Sequence, residues 1–181
     1  MVMDTKRLIL RPILESDADP LYPLINDPDV AANMHIPHPY PDGMLLPWIK
    51  AARESMAHDE RREMTILLKS TGAPIGVCGI HRIDWEHMSG EIGYWLGKPF
   101  WGNGYMTEAV TGILEYGFNE LDLDLYRMYA RCLMCNPASA RVLEKSGMKF
   151  EGCARGEVKK DGRYIDVLHF GMIKPEFAVP D

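Results

Sequence analysis

Glu91-Ile-Gly-Tyr-Trp-Leu-Gly-Lys-Pro-Phe-Trp-Gly-Asn-Gly-Tyr-Met-Thr-Glu-Ala109 decides how this chain is read. The apolar run from Glu91 to Leu96 predicts a strand. Trp101 to Met106 is a loop bracketed by Gly102 and Gly104, and Val110, Ile113, Leu114, Gly117, Phe118 and Leu121 then recur at helical spacing. Such a loop turns several backbone N–H groups toward one point where the helix starts. Those unpaired donors and the positive end of the helix dipole suit a phosphate. The two glycines permit the sharp turn and leave bare backbone for a ligand to approach.

The spacing narrows the choice. A dinucleotide fingerprint wants G-x-G-x-x-G after the first strand, but Thr107 stands where the third glycine belongs and the loop lies in mid-chain. A Walker loop wants a Gly-Lys-Ser/Thr ending, which is missing. By itself the segment is either a tight turn before a helix or a phosphate site of another kind.

Its wording resembles the acetyl-CoA loop of the GNAT acyltransferases, Gln/Arg-x-x-Gly-x-Gly/Ala. It is most similar to the branch that acetylates N-terminal amines of ribosomal proteins, where the loop commonly reads Trp-Gly-x-Gly-Tyr-Ala-Thr-Glu-Ala. Here that stretch is Trp101 to Ala109, with Met106 replacing the small residue. A second stretch, Asn136-Pro-Ala-Ser139-Ala-Arg-Val142-Leu-Glu-Lys145-Ser-Gly147-Met-Lys-Phe150, is similar to the family's Asn-x-x-Ser-x-x-Val-Leu-Glu-Lys-x-Gly-Phe. The resemblance runs from about Thr5 to Pro175.

Composition sets bounds. With 181 residues, 46% of them hydrophobic, the chain suits one domain, 1–181, with a sizeable core. A formal charge of −6 disfavours a nucleic-acid partner and tolerates a cationic or amine-bearing one better. No charged-then-apolar leader opens the chain. No apolar run approaches the roughly 20 residues that span a bilayer. A cytoplasmic protein is expected. Cys132 and Cys135 form a C-x-x-C, yet Cys78 and Cys153 are isolated and no His pair has ligand spacing, so no metal is expected. His35 and His38 approach one another only in a proline-rich loop.

Other elements follow from local signals. Leu8 and Leu10 alternate with Arg7, Ile9 and Arg11 as in a strand. Ser16 and Asp17 are cap candidates for a short helix through Ile25, limited by Pro20 and Pro23. Residues 35–43 form a loop. A helix should carry Leu46, Ile49, Arg53 and Met56 on one face and end near Asp59. Met64–Lys69 and Ile75–Ile80, joined by Ser70 to Pro74, read as a hairpin. Arg127 to Cys132 is another strand, running toward a helix capped by Asn136, with Pro137 at its first position and Gly147 just past its end. Asp161-Gly162 between β-rich runs marks a last hairpin. Hairpins early and helical crossovers late predict an α/β (α+β) fold, a mixed, mostly antiparallel central sheet with helices on both faces; the resemblance implies that this sheet is splayed at the cofactor strand.

Acyl transfer from a thioester to an amine needs a held donor, a neutral amine, donors for the oxyanion and a proton for the thiolate. The resemblance implies acetyl-CoA as acyl donor, held by Gly102, Asn103, Gly104, Tyr105, Met106 and Thr107. The pantetheine arm would lie along Trp95 and Leu96, beside Asn136. Lys98, Arg141 and Lys145 are candidates for the outer phosphate. Glu91 is either a solvent-facing strand carboxylate or the group that takes the amine's proton, with Asp84 and Glu86 as rivals. The family's second-motif tyrosine falls on Leu143, so that role is absent here, and Ser139 is the nearest replacement. A large but flexible Met106 predicts a weaker steric fit around phosphate without loss of function, since binding relies on its backbone N–H. The acceptor is expected to be a protein N-terminal α-amine. A small amine (polyamine, aminoglycoside or amino-acid-like toxin), a non-catalytic acetyl-CoA-binding module and a disulfide oxidoreductase built on Cys132/Cys135 are the rival readings. A homodimer is all that the resemblance suggests about assembly.

Overall fold

The computed structural model describes residues 2–178 other than His35 and Leu121, so the expectations placed on those two lie outside the described residues. After a two-residue strand β1 (Met3–Asp4), the chain runs β2 (Leu8–Pro12), α1 (Ala18–Ile25), α2 (Pro28–Ala32) and α3 (Leu45–Ala57). It continues β3 (Arg62–Leu68), β4 (Pro74–Asp84), β5 (Ser89–Leu96), α4 (Tyr105–Asn119), β6 (Arg127–Leu133), α5 (Pro137–Lys145), β7 (Lys149–Lys160) and β8 (Arg163–Ile173). The strands form one sheet in the order β1-β2-β3-β4-β5-β6-β8-β7. Every neighbouring pair is antiparallel except β5–β6, as hairpins and one helical crossover require.

That parallel pair is short. Its ladder runs from Ser89↔Arg127 to Ile92↔Ala130 and stops, although β5 continues to Leu96 and β6 to Leu133. Beyond Ile92 the two strands part, and one edge of β5 is left without a ladder partner on that side. The splayed sheet expected at this strand is therefore present.

Alternation along the strands gives the sheet two different faces. On one, Leu10, Ile66, Cys78, Ile80, Ile92, Met128 and Phe170 pack against the apolar stripe of α4 and against Leu143 of α5. On the other, Val77 and Trp95 pack with Ile13, Leu21, Ile25, Val30, Leu45 and Ile49 beneath α1, α2 and α3. The two apolar clusters are separate.

Several local expectations need correction. The buried face of α3 is Leu45, Ile49 and Ala52, one position from the stripe proposed; Leu46 is exposed and Arg53 donates to the Ile13 carbonyl at 2.8 Å. Asp17 caps no helix with its side chain. Its carboxylate accepts from Arg11 (2.6 and 2.8 Å), Thr65 (2.6 Å) and the Leu14 N–H (2.9 Å). Burial alone would raise the Asp17 pKa, but these donors outweigh it and hold it low. The hairpin around Asp161-Gly162 begins as far back as Lys149, with register shifts at Phe150/Gly152 and Ala154/Val158 that interrupt its alternation.

Candidate active site

The glycine loop is built by clamps on both sides. The Trp101 indole N–H donates to the Leu96 carbonyl at 2.7 Å, closing the loop back on its own strand. Asn103 turns inward, its amide donating to the Phe100 and Trp101 carbonyls (3.2 and 3.0 Å). Arg7, at the start of the first long strand, donates to the Asn103 carbonyl (2.9 Å) and the Glu108 carboxylate (2.7 Å), and stacks 4.6 Å from the Tyr105 ring centroid. Gly102 and Gly104 both adopt left-handed backbone (φ +77° and +76°). Nothing lies within 4 Å of where a Cβ on Gly102 would project, so the loop presents open space to a ligand. Gly104 is the N-cap of α4 and offers no side-chain oxygen, which leaves the first-turn N–H groups free for an anion. Met106 is buried in the core cluster against the sheet and also lines the cavity beside the loop.

A cavity of about 730 Å³ passes through the splay from this loop to the opposite face. Trp95, Leu96, Gly102, Gly104, Tyr105, Met106, Thr107, Asn136, Ser139 and Glu91 all line it; of the glycine-loop candidates Asn103 does not. Arg141 and Lys145 line it too, whereas Lys98 is paired with Asp29 outside it. Asp84 bonds to the neighbouring His87 at the surface, its carboxyl held low by the His87 N–H, and neither Asp84 nor Glu86 reaches the cavity.

At the α5 side, Asn136 accepts from the Ser139 N–H at 3.1 Å, so the helix cap and the cavity wall are one residue. The Ser139 hydroxyl lies 2.8 Å from the Tyr94 hydroxyl, which also donates to the Ser139 carbonyl at 3.2 Å. Burial holds the Tyr94 phenol well above its usual range, so it stays a donor. Sequence reasoning missed this pairing, because only the packing of β5 on α5 aims the Tyr94 hydroxyl at Ser139. Cys132 lines the same stretch, its thiol pushed up by burial against a hydrogen bond from Ser139, while Cys135 is exposed. Among the described residues no cluster of metal-ligating side chains occurs.

On the opposite face Glu91 is 9% exposed and ion-paired. Arg131 Nε donates to its Oε1 at 2.8 Å and Arg82 Nη1 lies 3.3 Å from its Oε2. Arg131 also donates to Glu157 at 2.8 Å, and Glu157 accepts from His169 at 2.6 Å, which holds that carboxyl below its usual range. Arg82 arrives there by a bulge. The β4–β5 register runs to His81↔Glu91 and resumes only at Asp84↔Ser89, and Arg82 takes φ +49°, which costs of order 1 kcal/mol outside glycine. No pattern in the sequence announces it. Across the mouth, Lys160 at the tip of the β7–β8 hairpin donates to the carbonyls of Ala31, Ala32 and Met34 at 2.7 Å each, tying the hairpin to the end of α2.

The arrangement, a phosphate-ready loop, a splayed strand edge and a passage open from both faces, is what a donor and an acceptor meeting at one strand need. The description "Acetyltransferase (GNAT) domain" fits residues 7–149. The chain therefore belongs to the GNAT acetyltransferase family and is an N-acetyltransferase. It is 35% identical over 175 residues to the "Uncharacterized N-acetyltransferase p20" of Bacillus licheniformis, covering 96% of this chain and 97% of that one. Its fold matches that of RimL, a ribosomal L7/L12 α-N-protein acetyltransferase solved with coenzyme A, at TM-score 0.86 and 21% identity over 96% and 98% of the two chains. It also matches a chimera of the spermidine N-acetyltransferase SpeG from Vibrio cholerae and hSSAT, at TM-score 0.81 and 20% identity over 94% and 98%. Among the described residues no helix is long and apolar enough to cross a membrane.

Proposed function

We propose that this N-acetyltransferase transfers the acetyl group of acetyl-CoA directly to a protein N-terminal α-amine within a ternary complex. The observation that carries the reading is the single cavity reaching the β5 edge from both faces of the sheet. A donor entering beside the glycine loop and an acceptor entering beside Glu91 meet there, with no need of an acyl-enzyme. The buried Cys132 thiol, pushed toward its protonated form, is a poor nucleophile for one.

In this reading the Gly102–Thr107 backbone holds the pyrophosphate, with Asn103 shaping the loop from within. Arg141 and Lys145 face the outer phosphate, and the open edge at Trp95 and Leu96 pairs with the pantetheine arm beside Asn136. The amine nitrogen forms its bond to the acetyl carbon and the carbon–sulfur bond breaks. Glu91 takes the amine's proton, directly or through one water, and the Ser139 O–H donates to the departing sulfur. Tyr94, within hydrogen-bond distance of Ser139 Oγ, holds that hydroxyl in place, and its hydrogen turns from the Cys132 thiol to the departing sulfur.

Both carboxylates at the acceptor mouth are already paired with guanidinium or imidazole, which leaves no free anion for a polycation and favours a peptide amine over a polyamine. The test is thiol release from acetyl-CoA with a panel of N-terminal peptides, polyamines and aminoglycosides. Release with peptides is expected. Release with small amines alone would transfer the activity to them, and tight cofactor binding with no release for any amine would leave a binding module. In parallel, Gly104→Val should abolish CoA binding in calorimetry; unchanged affinity would remove the loop from the site.

A further inference from the structure

Among the described residues of the acceptor mouth, Arg82 is the charged side chain whose donors are largely unspent. Its partner Arg131 is committed three ways, to both oxygens of Glu91 and to Glu157. Lys160 is committed to three carbonyls. Arg82 has one ion pair, 3.3 Å from Glu91, and no hydrogen bond to any described residue, while 66% of its side chain is exposed and it lines the cavity.

Its position is also built. In unbroken alternation His81 shares the face of Glu91, and residue 82 would point to the opposite face, where Ile80 and Ile92 lie in the core. The bulge at residues 82–83 turns Arg82 onto the Glu91 face and returns Ile83 to the core cluster. A left-handed arginine, adopted to bring a guanidinium to a cavity wall where the nearest carboxylate is already held by Arg131, has its planar fork left over for something else. A guanidinium fork matches a carboxylate bidentately.

Resting on the peptide-amine reading above, we infer that Arg82 is an acceptor-reading residue that selects N-terminal amines carrying a carboxylate within about one residue, roughly 3.5 Å of chain, of the reacting nitrogen. The α-amine then lies beside Glu91 and the acceptor's acidic side chain beside Arg82. When Arg82 turns to that carboxylate, Glu91 Oε2 keeps only its long 3.4 Å contact with Arg131, so that oxygen is least encumbered next to the amine when a matching acceptor is bound. Arg82 is thus both a specificity determinant and a positioning residue for Glu91.

The experiment uses three C-terminally amidated peptides identical except for Glu, Gln or Lys as second residue, with kcat/KM read from thiol release. The wild type should prefer Glu over Gln by about tenfold, the effect of one charge-assisted bidentate contact, and should use Lys least. Arg82→Gln should bring the Glu/Gln ratio to near unity, and Arg82→Glu should invert the order in favour of Lys. Arg82→Lys, which keeps the charge and loses the fork, should retain the order with a smaller ratio. Calorimetric acetyl-CoA affinity shows that each variant is folded. A wild type indifferent to the second residue, or an Arg82→Gln that slows all three peptides equally, overturns the inference. If no peptide is acetylated while small amines are, the peptide reading fails by itself. Arg82 is then judged on an amino acid against its amide: equal use, or a preference for spermidine over both, overturns it.

Discussion

At the scale of single residues, the site is a set of groups whose neighbours fix what each can do. Tyr94 is buried and its phenol held protonated, and its hydroxyl lies 2.8 Å from the Ser139 hydroxyl. Tyr94→Phe should lower kcat by about tenfold with little change in acetyl-CoA KM, and should have no further effect in a Ser139→Ala background. A tyrosine needed only for packing would slow both backgrounds alike, so the double-mutant cycle separates the cases. Glu91→Gln should reduce turnover far more than acetyl-CoA affinity. If turnover stays within about threefold, under ~1 kcal/mol of barrier, the carboxylate serves only to hold Arg82 and Arg131. The residues that touch the cofactor loop were legible because loop and helix motifs are contiguous in sequence. Tyr94, Arg82, Arg131 and Glu157 were not: their meeting depends on strands distant in the chain, and the bulge that aims Arg82 breaks the very alternation by which a strand is read.

At the scale of elements, the loop before α4 owes its shape to the strand that opens the fold. Glu108, in the first turn of α4, accepts from Thr5 Oγ1 and the Arg7 N–H at 2.6 Å each and from Arg7 Nε at 2.7 Å. Burial alone would raise the Glu108 pKa; those donors more than offset it and hold the pKa below the usual range. A depressed carboxylate stabilises the fold fully above the unfolded value, near pH 4.3, and that contribution fades as pH falls through the lower folded value. Glu108→Gln should therefore lower Tm at pH 7, flatten the fall in Tm between about pH 5 and pH 3, and raise acetyl-CoA KM as Arg7 loosens from Asn103. Equal pH slopes for the two proteins in differential scanning calorimetry would refute it. Element identities were read well wherever caps and turns are local, as at Asn136 and Asp161-Gly162. The face of α3 was misread because Leu45 and Leu46 are equally apolar, and only the docking of α1 beside it chooses between them.

At the scale of the whole molecule, Lys160 ties the hairpin to the end of a five-residue helix through three carbonyls. Lys160→Met should raise the acceptor KM severalfold and speed amide exchange in α2 while leaving acetyl-CoA affinity and global melting near the wild type. A raised acetyl-CoA KM instead would show that the strap shapes the donor side. The mixed sheet was legible from the order of hairpins and crossovers, which local signals dictate, and its splay only through the resemblance carried by the glycine loop. The closure of the acceptor mouth was not, since it joins residues more than a hundred positions apart through one flexible side chain.

The sheet's two unconnected apolar clusters have a practical bearing on evolvability. Substitutions among α1, α2, α3 and the hairpin tip repack only the cluster around Val77 and Trp95, and the cluster beneath α4 that frames the nucleotide loop is untouched. A combinatorial library drawn on that first set should yield enzymes with new acceptor preferences and an inherited donor. A library drawn on the α4 side should yield mostly proteins that have lost the donor altogether, so natural diversification of this scaffold would be channelled through one face.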